Sequence, residues 1–479
     1  MTIDLTPEVF RAAGYRAVDH IAALLESLPQ RPVMPEREPS VIRAHLGDSL
    51  PEEGMDPEEL VDWIAPLLAE HSGFNGHPRF FGYITSSATP IGAIADLLAA
   101  GINPNLALFR LAPIATEIER QAVEWIGRMI GYSTEGGGIL SSGGSMANFL
   151  GLAAARAAKL DYDVRKEGIR DLRARVYLSA EAHHCHDKTV DLLGLGTDAL
   201  RRVPVDAQLR MDAHALRRMI AEDRAAGLQP IIVIGTAGTV GTGAVDPLYE
   251  LAAIAQEEGL WFHVDGAYGA FAVVAPNAPA ELRGLSQADS LALDPHKWLY
   301  IPLEAGCTLM RDPYALQRAF SYEAEYLRED KTRYAEQRVD FTEYGLQNSR
   351  GFRALKVWMS LRQIGARGYR ERIGRDMELA QELGRLVQAH PELELLTPVS
   401  LSICAFRYRP KGVPEEELNA LNQAVLERVW SREKVFPSNT LVDGKFALRA
   451  CIVNFRTEER DIEALIDEAV SAGRSLLST

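Results

Sequence analysis

The feature that most constrains the fold is an alternation of short apolar runs with amphipathic helical stretches, which begins near residue 76. Alternation of this kind is typical of an α/β domain built on a mainly parallel sheet. Ligands of such domains bind beyond the carboxyl ends of the strands. The polar residues that directly follow the apolar runs are therefore the first candidates for a functional site. These runs lie at residues 139–140, 175–179, 231–235, 260–264, 290–293 and 307–310.

Other segments flank this alternation. A capping residue followed by proline, at Thr6-Pro7 and again at Asp56-Pro57, predicts two amphipathic helices. Two such helices cannot form a core alone, so they pack on the main domain or, as we favour, on a second subunit. The sequence thus predicts an N-terminal helical dimerisation segment (1–75), a large α/β domain (76–374) and a small C-terminal α+β domain (375–479).

The composition limits the partners and the compartment. With 51 basic and 66 acidic residues, the net charge is −15, which argues against nucleic acid or an anionic membrane as a partner. No apolar stretch approaches the length of a membrane span, and the first residues lack the pattern of a signal peptide. The four cysteines follow no CxxC pattern, so a reduced, cytoplasmic protein is expected rather than a disulfide framework.

Lys297 is the first candidate for catalysis. It follows the apolar run 290–293, and Pro295 prevents that strand from continuing, so the lysine lies just past a strand end. A partly desolvated lysine has a depressed pKa and is a usable amine nucleophile, as a Schiff base with an aldehyde cofactor requires. The alternative is an ordinary lysine with a buried stem whose head group reaches water.

A turn rich in glycine and serine, at residues 141–145, follows another apolar run and opens a helix. Glycines allow close approach of the backbone, hydroxyls donate hydrogen bonds and a helix N-terminus favours an anion, so the turn is a candidate phosphate site. It is neither GxGxxG nor a Walker loop, which disfavours a dinucleotide or P-loop chemistry. The alternative for such a turn is plain packing.

Histidines cluster at residues 181–186 (EAHHCH), directly after the run 175–179. Three histidines and a cysteine suggest zinc, but no second ligand pair such as CxxC or HExxH occurs elsewhere, so no metal is expected. A single imidazole at a strand end can instead lie flat against an aromatic cofactor ring. His183 is the candidate for this stacking role.

Asp265 ends the apolar run within FHVDGAY at residues 262–268. A buried carboxylate needs a cation as its partner, and the protonated ring nitrogen of pyridoxal phosphate is such a cation. Gly266 and Ala267 would leave room for the flat ring. The alternative is a surface acid, which is less credible because Lys297 follows 32 residues later (297 − 265), one strand-helix-strand step along the chain.

The order of phosphate turn, stacking histidine, acid and lysine resembles the group II pyridoxal-phosphate-dependent amino acid decarboxylases, the aromatic-L-amino-acid decarboxylase family. The most specific strings are HVDGAY (263–268) and DPHKW (294–298), and HPRFFGY (77–83) and RGFRALK (350–356) support them. The resemblance implies the aspartate-aminotransferase-like fold, fold type I, and pyridoxal 5′-phosphate as the cofactor. One departure is Asp294, where the family more often has asparagine.

The resemblance also implies roles for individual residues toward the cofactor. Lys297 would form the Schiff base and Asp265 would hold the ring nitrogen. Ala267 would lie beneath the ring, and His183 would stack on its other face. The residues implied to hold the phosphate or to lie close to the cofactor are Gly144, Ser145, Thr239, Asp294 and His296.

A further set of residues is implied to meet the substrate, an L-amino acid. No arginine can be assigned to a side-chain carboxylate of the substrate, although Arg79 and Arg110 remain candidates, so aromatic substrates are favoured over acidic ones. The apolar stretch 106–111 matches one that lines the pocket of the neighbouring subunit, which implies a homodimer with active sites at the interface. The residues implied to face the substrate are Tyr83, Thr85, Ser86, His183 and Ser349.

The implied reaction is decarboxylation to the amine and carbon dioxide, in which a tyrosine on a mobile loop, near residues 323–344, helps to protonate Cα. An ungapped count back from residues 350–353 places Phe341 at the position of this catalytic tyrosine, with Tyr344 and Tyr334 close by. Phenylalanine has no exchangeable proton. The alternative is therefore an aldehyde synthase, in which dioxygen reacts before the proton arrives, and a catalytically silent homologue is less favoured.

Overall fold

The fold is organised around a seven-stranded sheet in a computed structural model that describes residues 3–35, 37–47, 49–132, 137–170, 173–322 and 338–478. The strands run in the order β1-β7-β6-β5-β4-β2-β3. β3, β2, β4, β5 and β6 pair in parallel, whereas β7 is antiparallel to both neighbours. This confirms the predicted α/β class with a mainly parallel sheet. The strands are β1 (Gly138–Ser141), β2 (Ala174–Ser179), β3 (Leu200–Val203), β4 (Gln229–Thr236), β5 (Trp261–Asp265), β6 (Ser290–Leu293) and β7 (Gly306–Met310).

Helices cover both faces of this sheet, which explains why its central strands are continuous apolar runs. In β4, Val233 packs into one core while Ile232 and Ile234 pack into the other. The register sets Asp265 of β5 beside Ala292 of β6, so the residues that follow these two strands emerge side by side. The helices in this part of the chain are α4 (Pro90–Ile102), α5 (Pro113–Met129), α6 (Gly144–Lys159), α7 (Val164–Glu167), α8 (Cys185–Leu192), α9 (Ala213–Ala225), α10 (Leu248–Glu257), α11 (Pro295–Trp298) and α12 (Ala315–Phe320).

The N-terminal helices are α1 (Pro7–Ser27), α2 (Pro39–Leu46) and α3 (Pro57–His71). Both predicted caps are present, because the Thr6 hydroxyl accepts from the Val9 amide at 3.4 Å and Asp56 accepts from the Glu58 amide at 2.9 Å. α1 packs against α3, yet none of the three helices buries a residue within this single chain. A large apolar surface of the chain thus lacks an intramolecular partner.

The C-terminal part contains a second, antiparallel sheet in the order β10-β11-β9-β8. The long helix α13 (Ala354–Ala389), broken at Gly365, passes through residue 374, where the sequence predicts a domain boundary. The three-part division therefore stays a prediction. Within the described residues, no helix combines the length and the hydropathy needed to cross a membrane. The remaining elements are β8 (Leu393–Leu395), β9 (Ile403–Tyr408), α14 (Glu415–Ser431), β10 (Ser438–Val442), β11 (Lys445–Cys451) and α15 (Glu459–Leu477).

Candidate active site

A cavity of about 710 Å³ opens beyond the carboxyl ends of β4, β5 and β6, and the second sheet contributes part of its wall. Most of the residues that the sequence predicts for the site line this one cavity. Sheet topology explains their convergence, since parallel strands end at a common edge. The predicted residues found here are Tyr83, Thr85, Gly144, Ser145, His183, Asp265, Ala267, Asp294, His296 and Lys297.

Lys297 lies in α11, directly after β6, with Pro295 as the first residue of the helix. Its Nζ atom is 3.0 Å from Oδ2 of Asp294, whose side chain is almost fully buried. Burial alone would lower the pKa of Lys297, but the carboxylates of Asp294 and Asp265 more than offset it, so the pKa is raised. The prediction of a depressed pKa is therefore wrong for this form of the protein, in which Lys297 is an ammonium partner of Asp294.

Replacing Asp294 with asparagine should let the apo protein capture an aldehyde cofactor several-fold faster at neutral pH. Asparagine keeps the size of the side chain but removes a carboxylate that raises the pKa of Lys297, so more of the amine is unprotonated. The midpoint of the rate against pH should move to lower pH. Stopped-flow absorbance over a pH series measures this shift, and a midpoint that stays or rises would contradict the role given to Asp294.

Asp265 ends β5, where its carboxylate accepts two hydrogen bonds. The Ala267 amide donates to Oδ1 at 3.1 Å, and Nε2 of His186 lies 3.1 Å from Oδ2. Burial would raise the pKa of Asp265, but the hydrogen bond and charge of His186, the ammonium group of Lys297 and the Ala267 amide hold it well below the usual range. Asp265 is thus an ionised carboxylate at the cavity wall, suited to pair with a cation.

One histidine of the cluster at residues 181–186, His186, contacts Asp265. The ligand atoms of Cys185, His186 and Asp265 lie within 4.8 Å of one another. Burial raises the pKa of the Cys185 thiol well above its usual value. His183 lines the cavity, and burial lowers its pKa, so its ring is neutral and suited to stacking.

The glycine-rich turn between β1 and α6 is tightly enclosed. A side chain at position 144 would bring its Cβ within 2.6 Å of Oδ2 of Asp294, and Gly143 adopts a positive φ of 146°. Residue 144 therefore has to be glycine, which leaves backbone amides at the N-terminus of the 16-residue helix α6 free to face an anion. The ring of His296, neutral because burial lowers its pKa, lies at the same turn.

Comparison with known proteins identifies the site. Residues 39–409 match the family model described as the pyridoxal-dependent decarboxylase conserved domain. The chain belongs to this family. It is 34% identical over 461 residues to an aromatic-L-amino-acid decarboxylase of Bacillus atrophaeus, covering 96% of this chain and 94% of that protein. It is 31% identical over 466 residues to a phenylacetaldehyde synthase of Petunia hybrida, covering 94% and 91%.

Solved structures agree with the family assignment. The crystal structure of Oryza sativa TDC with PLP and tryptamine has a TM-score of 0.93 at 27% identity, covering 99% of this chain and 100% of that one. A 4-hydroxyphenylacetaldehyde synthase of Rhodiola rosea has a TM-score of 0.88 at 28% identity, covering 99% of both chains. The protein is thus a carboxy-lyase of the amino acid decarboxylase family, with pyridoxal 5′-phosphate as its cofactor. Family membership alone leaves open whether the product is an amine or an aldehyde.

The residues of the cavity fit this cofactor. The turn at Gly144 can take the phosphate, and Asp265 can take the ring nitrogen. Lys297 can reach the aldehyde from the neighbouring strand end. The β4 end adds Thr236, whose buried Oγ1 atom has no hydrogen-bond partner in the described part of the chain. The residues that the sequence predicts for the phosphate, the ring nitrogen and the aldehyde thus line one cavity.

Two predicted cofactor and substrate residues lie outside the cavity. The Thr239 hydroxyl is buried and lies 3.1 Å from the hydroxyl of Thr242, whereas Thr236 lines the cavity. Ser86 is buried and donates to the carbonyl oxygen of His296 at 2.8 Å. This hydrogen bond ties Ser86 to the segment of Lys297. The roles of Thr239 toward the cofactor and of Ser86 toward the substrate stay predictions.

Phe341 and Tyr344 lie outside the cavity of this chain, and their catalytic roles stay predictions. Phe341 is only 2% exposed and packs edge-on against Tyr344, with ring centroids 5.8 Å apart. The Arg350 guanidinium lies 4.7 Å from the Phe341 ring and pairs with buried Glu119 at 2.5 Å. Both aromatic rings belong to the core of the chain and do not line the cavity. Ser349 is exposed and is likewise outside the cavity, and Tyr334 lies outside the described residues.

Arg449 is a residue of the cavity that the sequence analysis missed. It lies in β11 and is 2% exposed, and it donates to the carbonyl oxygens of Tyr83 at 2.9 Å and Gly241 at 3.2 Å. Its Nη2 atom has no partner among the described residues. A charge within an otherwise apolar run, at residues 447–453, was the signal that could have revealed it. Arg79, considered before, instead pairs with Asp461 at 3.0 Å.

Proposed function

We propose that the enzyme removes the α-carboxylate of an L-amino acid, preferably an aromatic one, and releases the amine and carbon dioxide. The observation that carries this proposal is that adjacent strand ends bring the ionised Asp265 and the amine of Lys297 to one cavity. The similarity to the aromatic-L-amino-acid decarboxylase of Bacillus atrophaeus supports the choice of reaction and substrate.

The side chains of the cavity divide the work of this reaction. When bound, pyridoxal 5′-phosphate supplies an electron sink for the electron pair that carbon dioxide leaves behind. Asp265 would preserve the positive charge of the ring nitrogen, because its lowered pKa keeps it ionised. Lys297 would hold the cofactor, and Asp294, 3.0 Å from its Nζ atom, would pair with the lysine whenever it carries a free ammonium group. His183 offers a neutral, flat face for stacking.

The cavity wall supports an aromatic substrate with one anchored carboxylate. Ile84, Val240 and Leu303 supply apolar contact. Arg449 is a buried cation whose hydrogen-bond acceptors are all neutral oxygens. Its Nη2 atom has no partner in the described part of the chain, so Arg449 is the group that can bind an anion. The substrate carboxylate is the anion that the proposed reaction brings into this cavity.

Replacing Arg449 with methionine should raise KM for the amino acid about tenfold to a hundredfold, the cost of a lost charge-assisted pair of about 1.5–3 kcal/mol. Arg449→Lys keeps the positive charge but loses the planar guanidinium group, so its KM should lie between those of wild type and Arg449→Met. The amine product lacks the carboxylate, so its inhibition constant should stay unchanged in both variants. Steady-state kinetics with product inhibition measures both constants, and an equal loss of amine binding would point to a collapsed pocket instead.

The choice between amine and aldehyde depends on whether a proton or dioxygen reaches Cα first. Phe341, the reason for considering an aldehyde synthase, lies in the core, which weakens that argument. The 31% identity to the Petunia hybrida phenylacetaldehyde synthase keeps the second candidate open. Tyr326 and Tyr334 occur in the segment 323–337, outside the described residues, and are the tyrosines to replace with phenylalanine if a proton donor is sought there.

The proposal is tested by incubating the purified holoenzyme with single L-amino acids. Amine, aldehyde, carbon dioxide and hydrogen peroxide are each quantified. Amine equal to the carbon dioxide released, with no peroxide, is the expected result for an aromatic substrate. Aldehyde and peroxide in step with carbon dioxide would replace decarboxylation by the synthase reaction.

We further propose that the enzyme works as a homodimer in the cytoplasm. α1 and α4 expose apolar side chains that a second copy could cover, including Phe10 at 59%, Ile21 at 50%, Leu97 at 53% and Ile102 at 68%. The four cysteines are free, in agreement with a reducing compartment. Analytical ultracentrifugation should give twice the chain mass of 52.8 kDa.

A further inference from the structure

His186 makes a contact that the reaction outlined above does not use. It is fully buried, and its Nε2 atom lies 3.1 Å from Oδ2 of Asp265. Because the Asp265 carboxylate is ionised, it can only accept, so Nε2 must carry the proton and donate it. The other ring nitrogen, Nδ1, is buried without a partner in the described part of the chain. The single hydrogen bond of this imidazole is thus directed at Asp265.

The surroundings of this pair are neutral on the side away from the cavity. The Trp261 indole donates to Ser290 Oγ at 2.8 Å, and Nδ1 of His263 lies 2.7 Å from the same oxygen. Nε2 of His263 lies 2.8 Å from Asn148 Oδ1, and burial lowers the pKa of His263 to about 3, so its ring is neutral. Behind Asp265, His186 is therefore the donor that meets the carboxylate directly.

We propose that His186 is a positioning residue, which fixes the Asp265 carboxylate so that it meets the ring nitrogen of the cofactor in its ionised form. Ala267 holds one carboxylate oxygen and His186 holds the other, so the group cannot rotate about its Cβ–Cγ bond without losing both bonds. Each oxygen keeps a further lone pair for the ring N–H.

The consequence concerns the position of the shared proton. A carboxylate that already accepts two hydrogen bonds is a weaker base, so the proton between it and the ring stays on the ring nitrogen. This inference rests on the role proposed for Asp265. It adds a residue that does not touch the cofactor and acts through that carboxylate.

The test compares the affinity of the full-length protein, stripped of cofactor, for pyridoxal 5′-phosphate and for an analogue in which a carbon atom replaces the ring nitrogen. The ratio used is the dissociation constant of the analogue divided by that of pyridoxal 5′-phosphate. This ratio isolates the interaction with Asp265, because the phosphate and the aldehyde are common to both ligands. Fluorescence titration measures both constants without turnover. The wild-type protein is expected to bind the natural cofactor more tightly.

Two substitutions of similar polarity separate positioning from packing. His186→Gln places an amide N–H near the position of Nε2 and should keep the ratio within about threefold of wild type. His186→Asn is too short to reach Asp265 and should lower the ratio about tenfold or more, as expected for loss of a hydrogen bond to a charged group. His184→Gln alters the exposed neighbouring histidine and serves as the matched control, with an unchanged ratio.

Each outcome decides a separate point. If His186→Asn weakens both ligands equally and leaves the ratio unchanged, His186 is a packing residue and the inference is wrong. If His186→Gln and His186→Asn lower the ratio equally, the N–H donor of His186 is not the cause of the discrimination between the two ligands, and the inference is again wrong. If wild type itself does not discriminate between the ligands, the role proposed for Asp265 fails, and the inference fails with it.

Discussion

Replacing Lys297 with alanine should abolish covalent attachment of the cofactor and lower kcat by about four orders of magnitude. Alanine cannot bond to the cofactor aldehyde, so the protein loses both the anchored cofactor and the amine that leaves when substrate arrives. A loss of this size corresponds to about 5.5 kcal/mol of activation free energy. Borohydride reduction followed by peptide mass spectrometry should find the cofactor on Lys297 in wild type and on no lysine in the variant.

The matched control for this prediction is Lys188→Ala. Lys188 is an exposed lysine of α8 that follows the cavity residue Cys185 by three positions but does not line the cavity itself. This control should keep the reducible adduct and the activity. A reduced adduct that persists in Lys297→Ala would move the anchor to another lysine. A wild-type adduct without turnover of any amino acid would instead favour the catalytically silent homologue.

The strand ends of the site could be predicted because buried strands consist of uninterrupted apolar residues. The run 290–293 is observed as β6, and Lys297 follows it as predicted. The run 260–264 corresponds to β5, which ends on Asp265. A short range of sequence contains both the strand and the polar residue that it delivers. Local pattern therefore carries this part of the site.

The edge strand β3 could not be predicted in the same way. β3 (Leu200–Val203) contains Arg201 and Arg202, and only Val203 is buried. Nothing in such a run distinguishes a strand from a loop until β2 is available as its pairing partner. The strand exists because of tertiary context, which sequence periodicity does not contain.

The directions in which side chains point account for the remaining differences between the predicted and the observed site. His186 points to Asp265 from a helix, and Arg449 points to the cavity from the second sheet. No spacing rule links either residue to Asp265 or Lys297. An ungapped count gave Phe341 a sequence position but could not reveal that its ring is buried against Arg350. Thr236 and Thr239 are three residues apart, yet only Thr236 ends a strand at the cavity.

Replacing Asp265 with asparagine should lower kcat by about three orders of magnitude, or about 4 kcal/mol of activation free energy. The amide has nearly the size of the carboxylate, but it cannot balance the charge of a protonated ring nitrogen, so the electron sink is weakened. The change acts on the chemical step, so KM should change much less than kcat. Steady-state kinetics and carbon dioxide release in a single turnover measure the two effects separately.

Stability provides the control for this variant. The pKa of Asp265 is lowered in the folded protein, so the ionised carboxylate stabilises the fold at neutral pH, and that contribution is lost only as pH falls through the lowered pKa. Asp265→Asn should therefore melt slightly lower than wild type at neutral pH without unfolding at the assay temperature.

Asp289→Asn changes another carboxylate near a strand end, one that accepts from the Phe262 amide at 2.8 Å outside the cavity. Asp289→Asn should lower the melting temperature but leave kcat near wild type. A loss of kcat of less than tenfold in Asp265→Asn would show that the Asp265 carboxylate does not act through the ring nitrogen.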